Sequence, residues 1–219
     1  MRYNTSLAQG TLKGINLIRG LINMQGRKNA DYYALEARRL GYPSRSVFKL
    51  QEIQKKWKPL KGPVLDVGAA PGGWTLFTLR TLGPGARVVA IDLGNLDIKA
   101  PSGCEINFLR TDVFSREGME FVKQGGPYGC VLSDAAPATT GNRVVDTSRS
   151  FKLALQILSI AGTNLIVGGN LVLKLFQGGD EGEVRDRMEV IFGRVRFFKP
   201  RAVRRDSMEV YTIGMGRRP

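Results

Sequence analysis

Residues 64–75, which read VLDVGAAPGGWT, decide the fold of this chain. The apolar run Val64–Val67 passes directly into a turn with three glycines, and a helical pattern begins at Thr75. A buried strand, a glycine-rich turn and a helix in this order form the first unit of a doubly wound α/β fold. The glycines allow a ligand to approach the backbone, and amide groups at the helix start point towards it. The stretch therefore predicts a nucleotide-like ligand, although a tight structural turn is the alternative.

Strands and helices alternate from residue 63 onward. This alternation predicts a Rossmann-like α/β domain with a seven-stranded, mostly parallel sheet and helices on both faces. The last two strands have no helix between them, which predicts an antiparallel hairpin at one edge of the sheet. The predicted strands are Val64–Val67, Arg87–Leu93, Ile106–Arg110, Cys130–Ser133, Leu171–Phe176, Val195–Phe198 and Val210–Ile213, and the predicted helices are Thr75–Leu82, Arg116–Lys123, Ser148–Leu165 and Gly182–Phe192.

Length and composition favour one soluble domain. The 219 residues, 42% of them hydrophobic and 24% charged, supply one sizeable core. No apolar stretch approaches the ~20 residues of a membrane span. Two cysteines, Cys104 and Cys130, and no histidine provide neither a disulfide framework nor a metal site. We expect no metal, no membrane contact, a monomer and a reducing compartment such as the cytoplasm.

The net charge of +14 is concentrated at the two ends of the chain. Residues 1–62 hold 13 Lys and Arg against 3 Asp and Glu, residues 63–193 hold 12 against 14, and residues 194–219 hold 8 against 2. A nearly neutral middle between basic ends predicts that the termini converge on a polyanion, of which nucleic acid is the commonest. A generic solubilising surface is the alternative.

Two carboxylates favour adenosine as the ligand of the glycine-rich turn. Asp92 closes the second predicted strand, where an acid accepts hydrogen bonds from a ribose diol. Asp112 follows the third, where a carboxylate can accept from an adenine amino group. The turn departs from G-x-G-x-x-G, no P-loop Lys-Ser/Thr pair follows it, and Pro71 lacks an amide donor for a pyrophosphate. S-adenosylmethionine, which carries no phosphate, therefore fits better than NAD.

Lys174 and Asp134 are candidate site residues at strand ends. Lys174 lies in Gly169–Phe176, a run that otherwise reads as a buried strand. Its ammonium must therefore be paired, reach solvent or take part in chemistry. Asp134 follows the fourth strand at the carboxyl edge of the sheet, where ligands of open α/β folds bind.

Lys49 and Glu209 are further candidates, each with an ordinary alternative. Lys49 lies on the basic helix Ser46–Leu50, and Glu209 begins the last strand. Lys49 could be a surface lysine that covers apolar neighbours with its stem. Glu209 could serve only as an ion-pair partner of Arg204 or Arg205.

Five motifs resemble the FtsJ (RrmJ) family of ribose 2′-O-methyltransferases, which modify large-subunit ribosomal RNA in bacteria. They are SRSVFKLQEI, DVGAAPGGWT, SDAAP, KLFQG and the terminal EVY with GRRP, in order between about Asp31 and Pro219. The resemblance implies a class I S-adenosylmethionine-dependent methyltransferase fold and two sets of site residues. The catalytic set would be Lys49, Asp134, Lys174 and Glu209, and the cofactor contacts would be Gly72, Trp74, Asp92, Asp112 and Asp134. Ala138 stands where the family has Asn, which leaves the details of substrate binding open.

The reaction that the resemblance implies is an in-line displacement, in which a ribose 2′-hydroxyl attacks the sulfonium methyl group. Alignment and proton removal then dominate the rate, and we expect Lys174 to accept or orient the hydroxyl proton. Base methylation is a poorer fit. Methylation at C5 needs a cysteine nucleophile, whereas Cys130 lies mid-strand and Cys104 lies in a loop. The segment Asp134–Ala138 also lacks the aromatic ring that amino-group methyltransferases commonly use.

The expected partner is large-subunit rRNA within the assembled or assembling large ribosomal subunit, and the expected target is a uridine in the A-loop. The chain shows no separate RNA-reading domain, so we expect recognition of an RNA shape that the ribosome builds. A tRNA ribose 2′-O-methyltransferase of the same family and a noncatalytic RNA-binding assembly factor stay open as alternatives.

Residues 1–30 are predicted to be a basic N-terminal extension before a single domain at residues 31–219. The extension has five basic residues and no acidic one. Three interpretations stay open: an RNA-contacting arm, an added helix packed on the domain, or an organellar presequence. An amphipathic helix would use the apolar residues Leu12, Ile15, Ile18, Leu21 and Ile22.

Overall fold

The computed structural model describes residues 32–178, 181–204 and 206–219. The predicted N-terminal extension and its three interpretations lie outside these residues. The division into an extension and one domain stays a prediction.

Seven strands form one sheet: β1 (Val64–Val67), β2 (Arg87–Asp92), β3 (Glu105–Arg110), β4 (Tyr128–Ser133), β5 (Leu165–Phe176), β6 (Phe192–Phe198) and β7 (Glu209–Arg217). Their spatial order is β3-β2-β1-β4-β5-β7-β6. Strands β1 to β5 pair in parallel, and β7 pairs antiparallel with both β5 and β6. The predicted mostly parallel sheet with an antiparallel edge hairpin is confirmed.

Helices cover both faces of the sheet. They are α1 (residues 32–39), α2 (Val47–Trp57), α3 (Gly73–Leu82), α4 (Arg116–Gly125), α5 (Arg143–Asn164) and α6 (Glu181–Ile191). Helices α2 and α3 pack into one apolar core, and α4, α5 and α6 pack into another on the opposite face. Helix α1 lies on the α2 side, since Tyr33 contacts Phe48. Within the described residues, no helix is both long and apolar enough to cross a membrane.

Two elements begin five or more residues before their predicted starts, and the other differences at element starts are three residues or fewer. Helix α5 begins at Arg143 rather than at Ser148, because Asn142 caps it and accepts hydrogen bonds from the backbone of Val144 and Val145. Its first turns are polar or exposed, so they lack the apolar period that marked the rest of the helix. Strand β5 begins at Leu165 rather than at Leu171, with a shift in its register against β4.

The alternation of side chains along β5 and β7 positions the polar residues of the site. Val172 of β5 and Ile213 of β7 are register partners, and both belong to the core on the α2 and α3 side. Because side chains alternate with a period of two, Lys174 points to the same side as Val172. Its cross-strand partner is Tyr211, and Glu209 lies two residues before Tyr211. The pleat therefore directs all three towards α2.

Asn170 connects β5 to two other parts of the chain. Its Nδ2 donates to the Pro59 backbone oxygen at 2.8 Å, and its Oδ1 accepts from the Gly216 backbone N–H at 3.0 Å. The side chain is buried. One amide therefore ties β5 both to the segment at Pro59 and to β7, at the edge of the sheet opposite the glycine-rich turn.

Replacing Asn170 with Ala should lower the free energy of unfolding by roughly 2 to 4 kcal/mol, because a buried backbone acceptor and a partly buried backbone donor lose their partner. Urea unfolding measures the change. Asn107→Ala is the matched control, since Asn107 is exposed on β3, and we expect a change within about 0.5 kcal/mol there. Equal stability of the two variants would contradict the role assigned to Asn170.

Candidate functional site

A cavity of about 480 Å³ opens at the carboxyl edge of the parallel strands. Its wall includes Gly68 after β1, Asp92 at the end of β2, Asp112 after β3 and Asp134 after β4. Parallel strands present their carboxyl ends at one edge, so residues far apart in sequence meet there. The volume is in the range of small-molecule sites. The structure thus brings three of the predicted cofactor carboxylates into one cavity.

The glycine-rich turn is tied to the neighbouring strand by Asp92. Its Oδ2 accepts from the Ala70 backbone N–H at 2.9 Å, and its Oδ1 accepts from the Gly94 N–H at 2.6 Å. Gly68 has a φ of 78°, and a Cβ there would lie 2.7 Å from the Cβ of Ala135. Only glycine allows the turn to approach the loop after β4 so closely. These contacts shape the floor of the cavity.

Gly72 and Trp74 occupy a different place from the three carboxylates, because neither is among the described residues that line the cavity. The indole of Trp74 is buried, donates to the Ser46 backbone oxygen at 2.9 Å and packs against Tyr211. A Cβ at Gly72 would lie 2.8 Å from Ile98. Their role as cofactor contacts stays a prediction, and a contact by Trp74 would have to use its backbone.

The four predicted catalytic residues form one cluster. The Nζ of Lys49 donates to Glu209 Oε2 at 2.7 Å and lies 3.7 Å from Asp134 Oδ1. The Nζ of Lys174 lies 3.2 Å from the same Asp134 oxygen and also donates to the Asp134 backbone oxygen. Asp134 therefore lies between the two ammonium groups. Glu209 pairs with Lys49, and within the described residues no ion pair joins Glu209 to Arg204. Arg205, the other partner considered, lies outside the described residues.

Burial makes the balance of charge in this cluster necessary. The side chains of Lys49 and Lys174 are 11% and 8% exposed, and those of Asp134 and Glu209 are 16% and 23% exposed. Charges this far from water are tolerated when opposite charges and hydrogen bonds surround them. Two lysines face two carboxylates, so the cluster is formally neutral. Lys49 is therefore not a surface lysine.

Tyr211 is a fifth member that the sequence analysis did not select. Its hydroxyl donates to Asp134 Oδ1 at 2.6 Å. Burial, and then the charge of Asp134, raise the pKa of Tyr211 well above its ordinary value, so the hydroxyl stays a donor. The spacing of two from Glu209 is a sequence signal that could have identified it, whereas its position opposite Lys174 follows from the register of β5 and β7.

A second cavity, of about 570 Å³, adjoins the Lys49 and Glu209 side of the cluster. Arg45, from the segment before α2, and Arg204, from the β6–β7 loop, both line it. Burial, and then the nearby charge of Arg204, lower the pKa of Arg45. The Arg45 guanidinium also donates to the Ala202 backbone oxygen at 2.7 Å. Arg45 of the N-terminal basic segment and Arg204 of the C-terminal one therefore meet beside the cluster. Their convergence on a polyanion stays a prediction.

Known proteins match this chain over most of its length. The family model of FtsJ-like methyltransferase matches residues 42–217. The chain belongs to the FtsJ-like methyltransferase family. This confirms the family, the fold class and the enzyme class that the motifs predicted.

Relatives of this FtsJ-like methyltransferase include proteins named ribosomal RNA large subunit methyltransferase E. The relative in Treponema denticola is 45% identical and covers 84% of this chain and 94% of its own length. The relative in Oleidesulfovibrio alaskensis is 40% identical and covers 87% of this chain and 93% of its own length. A solved structure described as a putative ribosomal RNA methyltransferase from Plasmodium falciparum shares the fold, with a TM-score of 0.66 and 24% sequence identity. The match covers 80% of this chain and 98% of the solved chain.

Asp66 is a buried carboxyl beneath the glycine-rich turn of the FtsJ-like methyltransferase. Its Oδ2 accepts from the Thr75 hydroxyl at 2.6 Å, and its Oδ1 has no hydrogen-bond partner within the described part of the chain. Burial raises the pKa of Asp66 to about 7, and the bond from Thr75 opposes this shift. The unfolded carboxyl, in contrast, ionises near pH 4. Between these values the folded protein holds one more proton than the unfolded chain.

The free energy of unfolding should therefore fall as the pH rises from about 4 to about 7. In the wild type this fall in the free energy of unfolding should be on the order of a few kcal/mol. Asparagine cannot ionise, so we expect the fall to be absent in Asp66→Asn. Urea unfolding at about pH 5 and pH 8 measures it. Asp186→Asn, on the exposed side of α6, is the matched control and should follow the wild type. Parallel pH curves for Asp66→Asn and the wild type would refute the assignment.

Proposed function

We propose that this methyltransferase transfers the methyl group of S-adenosylmethionine to the 2′-hydroxyl of a ribose in large-subunit ribosomal RNA. One observation carries the proposal: Asp134 lines the 480 Å³ cavity and also contacts Lys174. A methyl donor in that cavity would therefore lie beside the charged cluster. The names of the relatives support large-subunit rRNA as the substrate.

The residues of the first cavity fit S-adenosylmethionine. Asp92 is proposed to bind the ribose diol and Asp112 the adenine, and Gly72 and Trp74 are proposed as further contacts through the turn. Both carboxylate oxygens of Asp92 also hold backbone amides, which fixes the carboxylate before a ligand arrives. When bound, the cofactor supplies an electrophilic methyl group. Gly68 keeps the turn close enough to Ala135 to bound the cavity.

Lys174 is proposed to accept or orient the proton of the 2′-hydroxyl. Asp134 holds its Nζ through both a backbone oxygen and a carboxylate oxygen, so the position of the amine is well defined. Tyr211 fixes that same carboxylate. Lys49 and Glu209 form a second pair that closes the cluster towards the substrate side. A proton-handling group has to lie within hydrogen-bond reach of the hydroxyl, and these contacts support the proposal because they hold the amine in one position beside the cavity.

The basic cavity beside the cluster is proposed to receive the target nucleotide. Arg45 and Arg204 supply positive charge for the neighbouring phosphates, while Glu209 keeps Lys49 in place. The proposed target is a uridine in the A-loop of the assembled or assembling large subunit, modified by a monomeric enzyme in the cytoplasm. A tRNA ribose is the alternative substrate.

Methylation of a base through a cysteine adduct fits this site poorly. Cys130 is fully buried in β4, and burial raises the pKa of its thiol. A reactive thiolate needs an accessible, electropositive setting. Ribose is therefore the better acceptor.

Labelled S-adenosylmethionine should transfer label to large subunits that lack the modification, and nucleoside mass analysis should find 2′-O-methyluridine. Naked rRNA and tRNA are tested in parallel, and we expect both to be poor substrates because the shape of the RNA is incomplete. Lys174→Ala should abolish transfer, whereas Lys152→Ala, on the exposed side of α5, should not.

Label in tRNA would move the assignment to the alternative substrate. Equal turnover of free rRNA and subunits would contradict recognition of the assembled shape. Cofactor binding without transfer to any of these RNAs would favour a noncatalytic assembly factor.

The Lys174→Arg variant tests whether Lys174 accepts the proton of the 2′-hydroxyl or only orients the hydroxyl through its positive charge. Arginine keeps the positive charge but cannot lose a proton. If Lys174 accepts the proton, we expect kcat to fall roughly a hundredfold or more at every pH in the profile. Substantial activity of Lys174→Arg would show that a fixed cation suffices. Lys152→Arg is the matched control and should keep the wild-type profile.

A further inference from the structure

A basic groove of about 570 Å³ lies on the α1 to α3 side of the domain and takes no part in the sites described above. Arg38 of α1, Arg80 of α3 and Lys99 of the β2–β3 connection line it, together with one acid, Asp97. The charge of the groove is therefore positive overall.

The groove exists because the β2–β3 connection lacks a helix. The other parallel crossovers, from β1 to β2, from β3 to β4 and from β4 to β5, contain α3, α4 and α5 respectively. Residues 93–104, all of which the structure describes, run from β2 to β3 as loop and turn. The place beside α3 that a crossover helix would fill is left as an open groove with charged walls.

The cations in the groove differ in how firmly they are held. The guanidinium of Arg80 donates to the Leu40 backbone oxygen at 2.9 Å and lies 4.6 Å from the centroid of the Tyr42 ring. Arg80 is therefore fixed in the wall and supports the α1–α2 turn. Arg38 and Lys99 are exposed, so their charged ends can reach a ligand that enters the groove.

The groove adjoins the catalytic side of the molecule across one short segment of chain. Tyr42 and Pro43 line the groove, and Arg45 lines the basic cavity beside the cluster. Pro43 and Arg45 are two residues apart, so their Cα atoms lie within about 7 Å. Helix α3 holds this segment at both ends, since Arg80 binds Leu40 and Trp74 binds the Ser46 backbone oxygen. The segment from Leu40 to Ser46 thus has the basic groove on one side and the basic cavity on the other.

We propose that this groove binds the sugar-phosphate backbone of the RNA strand whose target ribose lies at the catalytic cluster. The inference rests on the proposed function. An RNA strand carries phosphates along its whole length, so a strand that passes the Arg45 cavity can also present phosphates to Arg38 and Lys99 in the adjoining groove. Contacts of this kind position the strand and carry no information about the bases. The groove would therefore increase the affinity for the RNA and fix the position of the strand relative to the catalytic cluster.

Arg38→Gln with Lys99→Gln tests the groove and leaves Arg80 in place. We expect KM for unmodified large subunits to rise on the order of tenfold at about 0.1 M salt, because two phosphate contacts are lost. We expect little change in kcat or in affinity for S-adenosylmethionine. The slope of log KM against log salt should become shallower by about one to two.

Lys123→Gln with Lys152→Gln is the matched control, since both lysines are exposed on α4 and α5 of the opposite face. If the groove variant and this control have the same KM and the same salt slope, the proposal is overturned. Lys99→Gln alone, in an exposed loop, is the second variant and should show about half of the change in slope. Failure of wild-type protein to methylate subunits would instead refute the proposed function, so the two failures are distinguishable.

Discussion

The antiparallel register between β5 and β7 is the constraint on which the candidate site depends. It sets Lys174 opposite Tyr211 and Phe176 opposite Glu209, so an amine, a phenol and a carboxylate face the same side of the sheet. Asp134, at the end of the next strand, contacts two of these three groups. A slip of one residue would rotate Lys174 to the other face, where Leu173 and Leu175 pack in the α5 and α6 core. The apolar cores on both faces therefore fix the geometry of the charged cluster.

Charge compensation explains why these polar groups persist in a buried place. Each lysine of the cluster has a carboxylate within reach, and Asp134 serves both lysines. Removing one member would leave an uncompensated charge in a poorly solvated setting, which costs more than the pair contributes. The same Asp134 lies in the wall of the 480 Å³ cavity. One carboxylate therefore links the place proposed for the methyl donor to the group proposed to handle the proton.

Much of the site could be predicted because strand ends are visible in the sequence. Asp92, Asp112 and Asp134 each close or follow an apolar run, and parallel topology carries such residues to one edge. Lys174 was detectable as an isolated charge in a buried strand. The roles of Gly72 and Trp74 depended on the family resemblance, and the structure puts the Trp74 indole in the core against Tyr211. Helix α1 and the first turns of α5 lacked a clear apolar period, so sequence patterns missed them.

The sequence by itself determined the order of strands and helices, the glycine-rich turn, the basic ends and the family. These features depend on local periodicity, composition and motifs, which neighbouring residues are sufficient to encode. Only the tertiary structure decided that Lys49 pairs with Glu209, that Tyr211 donates to Asp134, and that Arg45 meets Arg204 beside the cluster. Those contacts join residues more than 70 positions apart in sequence. They follow from sheet register and helix packing, which depend on distances between elements that no local pattern records.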